Sequence, residues 1–453
     1  MLENTDSQNA QQCLHEVNKA LESGMFVKAR SILENMPACD VALILESSPP
    51  TNRKVLWNLT DHDLHGEILE ELNEDAKDGI INLMGATKLV AATEGMDTDD
   101  LAYVLRSIPD SLYQAVLQEM DEQDRHRVQQ ALAYPEDTAG SIMNTDTITL
   151  RPDVSIDVVL RYLRLKGELP EATDTLYVVN EEDQLIGDVP LSTLLTVNPS
   201  LSIAEVMNNK IETLLVEMPE TDIAKLFERH DWISAPVVDE SNHLLGRITI
   251  DDIVDIIREN AEHSMMGMAG MDDDEDTFAP ILPSTKRRTL WLSINLISAL
   301  IAASVTNMFE ATLEQMATLA VLMTIVPSMG GIAGNQTLAL VIRGIAVGHI
   351  GTGNTKWLIG KEAAVGVLNG IIWALLVATA VTFWKGDLSV GLIIAGAMFI
   401  NLSAAGIAGV TIPLIMHKYK IDPALAGGMA LTTVTDVIGL FSFLGMATLV
   451  LSY

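Results

Sequence analysis

Five long stretches in the last third of the chain hold almost no charge. They cover 289–309, 315–342, 363–384, 388–416 and 423–453, and Asp436 is the only charged residue inside them. Each stretch exceeds the roughly 20 residues that a helix needs to cross the hydrocarbon layer of a membrane. We therefore predict an all-α membrane domain over 287–453, with five transmembrane helices at about 289–309, 315–345, 360–384, 388–416 and 423–451.

The basic residues near these helices predict their orientation. Bases lie before the first helix and in the second and fourth loops, and cytoplasmic loops carry such an excess. The first loop instead offers Glu310 and Glu314. We expect five crossings of the cytoplasmic (inner) membrane, with the N-terminus in the cytoplasm and the C-terminus outside. The bases concerned are Lys286, Arg287, Arg288, Arg343, His349, Lys356, Lys361, His417, Lys418 and Lys420.

Several polar side chains lie within the predicted helices, among them Asp436, Asn335, Gln336 and Asn401. A charge at the centre of a spanning helix costs roughly 2.5–3.5 kcal/mol on insertion scales, so the Asp436 carboxylate needs a partner that offsets this cost. The segment PSMGGIAGNQTLALVIRG (327–344) is also rich in glycine. Glycines fit either close helix packing or a cavity lined by irregular backbone. With these four residues in one small domain, we favour a pore or binding cavity.

Charge divides the chain into two parts. Residues 1–285 hold 55 acids and 19 bases, a net charge of −36, while 286–453 hold 6 acids and 9 bases, a net charge of +3. The acidic part repels phosphates, which excludes nucleic acid as a partner, and it suits small cations. Two cysteines, Cys13 and Cys39, and no secretory signal peptide predict a reducing cytosol for this part. We find no nucleophile–base set or phosphate-binding loop, so we predict no enzyme.

An internal duplication marks the middle of the chain. TLYVVNEEDQLIGDVPLSTLL (175–195) and SAPVVDESNHLLGRITIDDIV (234–254) share an apolar strand, an acidic turn, an apolar–glycine step, a second strand and a helix. Repetition at this period indicates two copies of one α/β unit. The arrangement resembles a tandem pair of CBS domains, which we place at 134–197 and 198–258.

The CBS resemblance implies a nucleotide site in the second copy. Its signature is a Thr or Ser followed three residues later by an Asp, as in Thr249 and Asp252, whereas the first copy has Pro190 and Thr193 at these places. ATP is therefore a candidate ligand. Trp232 is either a surface on which the base stacks or an ordinary core residue.

The helix that leaves the second copy carries a row of acids. Asp251, Asp255, Glu259 and Glu262 are spaced i, i+4, i+8 and i+11 on one helix face, and Asp252 lies beside them. Like charges at this spacing repel one another unless cations compensate. The row is either a solvated face of an acidic protein or a sensor of a divalent cation, since Mg²⁺ binds one or two carboxylates and keeps its waters. A connecting helix and acidic linker follow over 259–286.

The first 133 residues show helical periodicity without a convincing strand. VLWNLTDHDLHGEILEELNEDAKDGIINLM (55–84) and AATEGMDTDDLAYVLRSIPDSLYQAVLQEM (91–120) are similar to each other and predict an α-helical solenoid of stacked helix pairs over 1–133. Asp97, Asp99 and Asp100 lie where a helix begins. They either cap that helix or share a cation with the acidic row.

The order of these parts resembles the MgtE family of magnesium channels over essentially the whole chain. The most specific segments are PSMGGIAGNQTLALVIRG (327–344), IDPALAGGMALTTVTDVIG (421–439) and PEDTAGSIM (135–143). The resemblance implies a homodimer with a Mg²⁺ pore between its membrane domains. It assigns the ion-selecting aspartate to Asp436, the loop acid of a DPA motif to Asp422, and pore-lining amides to Asn335 and Gln336. It also implies that cytosolic Mg²⁺ binds between the solenoid, the CBS pair and the linking helix, and closes the pore.

Three residues depart from the family pattern. His263 and Ser264 stand where the linking helix of relatives often continues with acids, and Tyr103 replaces a further solenoid acid. The sequence therefore predicts transport more firmly than closure by Mg²⁺.

Two other functions stay open. An ion-coupled transporter of divalent cations would use broken helices and a midplane acid equally well, although we find no second acid within the membrane to carry a proton or Na⁺. A membrane sensor that transports nothing would leave Asp436 and the GNQ segment unexplained.

Overall fold

The computed structural model describes residues 3–451 apart from 94, 95, 97, 107, 121, 168, 171, 272–276 and 352. The chain forms two compact units that separate between Glu259 and Asn260, with the residues just before Ile281 counted in the first unit. Each unit has its own core. The boundary falls within a single helix that both units share.

The N-terminal part of the first unit is helical. Apolar residues at helical spacing, among them Leu45, Ile68, Ile80 and Val104, form one buried core between these helices. In the described part of 1–133 no strand interrupts them, which confirms the predicted helical domain. The helices are α1 Glu3–Glu22, α2 Phe26–Leu33, α3 Ala38–Glu46, α4 Pro50–Trp57, a 3-10 turn His62–Leu64, α5 His65–Glu71, α6 Glu74–Ile81, α7 Ala86–Ala92, α8 Thr98–Arg106, α9 Asp110–Glu119 and α10 Glu122–Ala131.

The CBS pair follows as two small sheets with helices. Each sheet has three strands, and in each the first pair is parallel and the second antiparallel, with an irregularity at the same place. This confirms the duplication. The elements are α11 Ala139–Ile142, β1 Thr149–Leu150, α12 Ile156–Lys166, β2 Thr175–Val179, β3 Leu185–Pro190, α13 Leu191–Thr196, α14 Ile203–Val206, β4 Leu214–Leu215, α15 Glu220–His230, β5 Ser234–Val238 and β6 Leu244–Thr249.

The two copies exchange their entry segments. Ala139 and Met143, at the beginning of the first copy, pack into the core of the second with Phe227. Ile203, at the beginning of the second copy, is buried in the core of the first with Leu176. The predicted boundary at 197 and 198 divides the chain between the copies, but the two cores do not follow it.

The glycine of each apolar–glycine step makes this exchange possible. A Cβ at Gly246 would lie 2.6 Å from the carbonyl oxygen of Asn144, and a Cβ at Gly187 would lie 2.8 Å from that of Asn208. Backbone hydrogen bonds join Arg247 to Asn144 and Asp188 to Asn208 at these crossings. Only glycine permits so close an approach of backbone.

A long helix, α16 Ile250–Met268, leaves the second copy without a break. Among the described residues, the second unit then contains five helical spans long and apolar enough to cross a membrane, the number that the sequence predicts, and the second of these spans consists of two helices. The bounds are α17 Ile281–Asn307, α18 Glu310–Gln315, α19 Ala317–Leu322, α20 Ile325–Ala346, α21 Thr355–Lys385, α22 Leu388–Lys418 and α23 Pro423–Leu451.

The second span, predicted as one helix over 315–345, is interrupted. It is divided into α19 and α20, with Met323 and Thr324 between them in a turn. Pro327 follows two residues after α20 begins. Proline is tolerated in the first turn of a helix because its missing N–H would have no partner there, and this explains why the new helix begins just before it.

Glycines let the helices of the second unit pack closely. A Cβ at Gly366 of α21 would lie 2.9 Å from the carbonyl oxygen of Leu402 in α22. A Cβ at Gly409 of α22 would lie 2.8 Å from the carbonyl oxygen of Gly334 in α20. Helix packing is thus one role of the glycines in these segments.

Candidate functional site

Asp436 lies at the middle of α23. It is the fourteenth of 29 residues, about 20 Å from either end of the helix at 1.5 Å per residue. Its side chain is partly buried. Hydroxyls of the same helix, such as Thr432 and Thr435, bond to carbonyls one turn earlier. Within the described chain, Asp436 itself has no hydrogen-bond or ion-pair partner, so its carboxylate is available to a ligand.

Asn335 and Gln336 lie halfway along α20 and are exposed. The face of α20 that includes them also exposes Ser328 and Ile332, while the other face is buried against α22 and α23. Asn335 contacts α23 near Gly428, where a Cβ would lie 4.0 Å from its Oδ1. Gly428 is two turns from Asp436 along α23, about 12 Å. The structure therefore places the amides on the same helix pair as Asp436 but at a different depth.

Asn401 is fully buried at the junction of α20, α22 and α23. Its Nδ2 donates a hydrogen bond to the carbonyl oxygen of Val326 at 2.7 Å, while its Oδ1 has no partner. A Cβ at Gly330 would lie 2.1 Å from Nδ2, and a Cβ at Gly439 would lie 2.9 Å from it. Asn401 therefore packs against Gly330 of α20 and Gly439 of α23 and joins these two helices to α22. Its predicted place in the pore lining stays a prediction.

A second acid lies within the membrane helices, and the expectation that Asp436 is alone there is wrong. Glu362 of α21 is 3% exposed. Its Oε2 accepts a hydrogen bond from Thr337 Oγ1 at 3.2 Å, and its Oε1 forms an ion pair with Lys361. A signal existed in the sequence, because Glu362, Gly366 and Gly370 are spaced four residues apart and are all buried on one face.

In the first unit, Asp252 at the start of α16 lies near Asp100 of α8. Thr249 donates to Asp252 Oδ2 from its backbone N at 3.2 Å and from Oγ1 at 3.0 Å. Burial raises the pKa of Asp252 to about 7, and the charges of Asp251 and Asp100 add to the rise. One acid of the N-terminal helices thus lies near one acid at the start of α16, and a cation shared between them stays a prediction.

Glu220 and Asp137 are two further acids near the acidic row, and no sequence pattern predicts them as a site. Burial raises the pKa of Glu220, the first residue of α15, to about 7, and the charges of Asp137 and Glu259 raise it further. Glu259 belongs to the acidic row. The signal available was weak, because an acid in the first turn of a helix is usually explained by the helix dipole.

The other acids of the row are exposed. Asp251, Asp255, Glu259 and Glu262 all reach solvent on α16, and Asp255 pairs with Arg258 at 3.0 Å. No three His, Cys, Asp or Glu side chains of the described residues converge closely enough to form a ready metal site. Asp97, a further predicted ligand, and 272–276 of the acidic linker lie outside the described residues.

Asp422 joins the end of α16 to α23. Its Oδ1 accepts a hydrogen bond from the Ala424 backbone at 2.8 Å, which caps α23. Its Oδ2 pairs with Nε2 of His263. One of the departures from the family pattern is thus the direct partner of the predicted loop acid. Tyr103 is another of these departures. The Nζ atom of Lys77 lies over its ring, 4.1 Å from the ring centroid.

Trp232 is packed rather than open. It is partly buried against the core of the second CBS copy, with the ring of Phe227 edge-on at 5.5 Å and that of His230 stacked on it at 4.8 Å. This favours the core alternative. Thr249 and Asp252 lie together at the end of β6, whereas Pro190 ends β3 in the first copy.

Known proteins resemble each part of this chain. Residues 323–446 match the family model described as MgtE, a divalent cation transporter, 36–137 match the MgtE intracellular N domain, and 139–200 and 203–259 match the CBS domain. The magnesium transporter MgtE of Bacillus subtilis is 31% identical over 431 residues, which cover 94% of this chain and 95% of the relative.

A more distant relative and one solved structure agree with these matches. The magnesium transporter MgtE of Thermus thermophilus is 26% identical, with 96% of this chain and 98% of the relative covered. The crystal structure of the cytosolic domain of the Mg²⁺ channel MgtE in complex with ATP is 27% identical, covers 54% of this chain and 99% of that chain, and has a TM-score of 0.50.

Proposed function

Because the chain belongs to the MgtE family of divalent cation transporters, we propose that it is a Mg²⁺-selective channel of the cytoplasmic (inner) membrane. Mg²⁺ enters the cytoplasm through it, down the electrochemical gradient. The observation that carries the proposal is Asp436, a carboxylate at mid-membrane depth without a partner among the described residues. The N-terminus lies in the cytoplasm and the C-terminus outside, as the loop bases predict.

Asp436 offsets its cost of insertion by binding a divalent cation. Mg²⁺ dehydrates reluctantly, so a wide ring of oxygens recognises the hydrated ion more easily than it strips the ion. In a dimer, two Asp436 carboxylates would face one ion across the symmetry axis. Two charges moving through the membrane field gain about 4.6 kcal/mol per 100 mV, which is enough to drive uptake without a coupled reaction.

The exposed face of α20 supports a homodimer. Asn335 and Gln336 are exposed in a single chain, and lipid cannot satisfy their amides. A second copy, or a water path between two copies, would satisfy them. The pore therefore lies between the membrane domains and is lined by these amides.

Regulation by Mg²⁺ fits the acids of the first unit. Asp252 lies near Asp100, and Glu259 lies near Glu220, so two pairs of carboxylates repel each other. A hydrated Mg²⁺ at each pair would remove the repulsion and stabilise the contact. High cytosolic Mg²⁺ would then hold the cytosolic part in one arrangement and close the pore.

ATP is a candidate second regulator. A relative's cytosolic domain has been crystallised with ATP, and Thr249 and Asp252 preserve the signature for the ribose hydroxyls. A base stacking on Trp232 would have to displace His230 from that ring.

Uptake of Mg²⁺ into proteoliposomes under a clamped voltage tests the channel. We expect wild type to conduct with no ion gradient other than that of Mg²⁺, and Asp436→Asn to lose Mg²⁺ uptake or its preference over monovalent cations. Asn has nearly the shape of Asp but no charge. Glu314→Gln, which removes the charge of an exposed acid on α18, is the matched control and should behave as wild type.

Other outcomes select the alternatives. Equal uptake by wild type and Asp436→Asn would contradict the role of this carboxylate. Uptake that requires a proton or Na⁺ gradient would indicate a coupled transporter. A well-folded wild type that takes up no Mg²⁺ at any cytosolic Mg²⁺ concentration would indicate a sensor.

A further inference from the structure

Glu362 is buried in a place where a carboxylate is costly. It is the eighth residue of α21, about 10 Å from the first, and its side chain is 4% exposed. The 31-residue helix is about 46 Å long and so exceeds the roughly 30 Å hydrocarbon layer. Glu362 therefore lies near one edge of that layer. Acids in such positions are rare, and those that occur usually have a function.

Both oxygens of Glu362 already have partners. Oε1 pairs with Lys361, and Oε2 accepts from Thr337 of α20. Because the carboxylate is enclosed and bonded to Lys361 of its own helix and to Thr337 of α20, it cannot act as an ion ligand on an open path. Its charge is instead used to hold Thr337.

Thr337 is held from two sides. Its hydroxyl is bonded to Glu362 of α21, and its Cβ lies 2.8 Å from the position that a Cβ at Gly409 of α22 would take. Thr337 follows directly after Asn335 and Gln336 but is buried, whereas they are exposed. Fixing Thr337 therefore fixes the rotation of α20, and with it the direction in which the two amides point.

We propose that Glu362 is a positioning residue for the ion path: through Thr337, it holds α20 at the rotation that keeps Asn335 and Gln336 on the open face. Lys361 pairs with the other oxygen of the same carboxylate, and hydrogen bonds to charged groups are about twice as strong as neutral ones. The inference deepens the proposed channel function and rests on it only for the transport readout.

The first experiment measures the rotation of α20 without any transport. A nitroxide is attached at Leu340→Cys, on the exposed face of α20, in full-length protein with Cys13→Ser and Cys39→Ser. We expect Thr337→Val to change the mobility spectrum of the label, because valine keeps the shape but loses the hydroxyl. Thr337→Ser, which keeps the hydroxyl, should restore the wild-type spectrum, and Glu362→Ala should resemble Thr337→Val.

The second experiment measures Mg²⁺ uptake per folded protein. We expect Thr337→Val and Glu362→Ala each to lower it roughly tenfold, and the double variant to be no worse than either, because both act through one bond. Thr312→Val removes a partly buried hydrogen bond between hydroxyls of α18 and α23 and is the control for the loss of a hydroxyl bond elsewhere in the membrane unit. It should leave the label spectrum and the uptake unchanged.

The proposal fails if Thr337→Val leaves the label spectrum at that of wild type, or if the losses of uptake in the two single variants add. It also fails if Thr312→Val has the same effects. If wild type takes up no Mg²⁺, the channel function fails while the label spectra still decide the position of α20.

Discussion

Asn401 occupies space that two glycines leave open. Its side chain is fully buried between Gly330 and Gly439, and its amide bonds to the carbonyl of Val326. Each of these three residues is unremarkable by itself in a membrane helix. The Asn401 side chain fits only because neither glycine has a Cβ. A single added methyl group at either glycine would therefore disturb the contact.

Gly330→Ala should therefore destabilise the membrane unit by about 1–3 kcal/mol, the usual cost of overpacking. The new Cβ would lie 2.1 Å from Asn401 Nδ2, which is fixed by its hydrogen bond. Thermal unfolding of the full-length protein in detergent, followed by its helical circular dichroism signal, measures the loss.

The neighbouring glycine is the control for this prediction. A Cβ at Gly331 would have its nearest neighbour at 3.9 Å, so Gly331→Ala should keep the wild-type stability. Combining Gly330→Ala with Asn401→Ala should cost less than the sum of the two single substitutions. Equal stabilities of Gly330→Ala and Gly331→Ala would contradict the packing described for Asn401.

At helix α16, burial and neighbouring charges raise the pKa values of two acids. Two half-buried acids, Asp252 on α16 and Glu220 on α15, have pKa values raised to about 7, chiefly by burial and then by neighbouring acids. Raised values mean that the folded state holds protons that the unfolded state releases, between about pH 4 and pH 7. Folding stability therefore falls as the pH rises through this window.

Without Mg²⁺, we expect the melting temperature of the full-length protein to fall between pH 5 and pH 8. Glu220→Gln should reduce this dependence because it removes one ionising group, while Glu228→Gln, an exposed acid on the same helix, should not. Millimolar Mg²⁺ should raise the melting temperature more at pH 8 than at pH 5, since only ionised carboxylates attract it. A Mg²⁺ effect of the same size at both pH values would contradict the role of these acids.

Helices and domains were predictable from the sequence wherever a single strong sequence pattern marks them. The lack of charge predicts the five membrane helices, and the repeated segments predict the CBS pair. Contacts that depend on the meeting of distant segments were not predictable. The neighbours of Glu220 are Asp137 and Glu259, one far before it and the other well after it, and no local pattern brings them together. Glu362 was missed because a charge beside Lys361 suggests the end of a helix.

For the molecule as a whole, the proposed homodimer predicts that the exposed amides of α20 face a second chain. We expect two nitroxide labels at Leu340→Cys to give a defined spin–spin distance in membranes, because one label lies on each copy of α20. Dilution with an excess of unlabelled protein should abolish the signal. A monomeric mass in detergent and lipid, with no spin–spin coupling, would contradict the homodimer.

The exchanged entry segments of the CBS pair also govern how the chain must be made. The first core is incomplete until Ile203 has been synthesised, about 50 residues after β1. At about 5–20 residues per second this takes several seconds. During that time the strands of the first copy lack Ile203 as a packing partner. The segment at Ala139 stays unpacked for longer, until the second copy has been synthesised. The pair must therefore fold as one unit after its synthesis, and a cut between 197 and 198 would leave two fragments, each with an unfinished core.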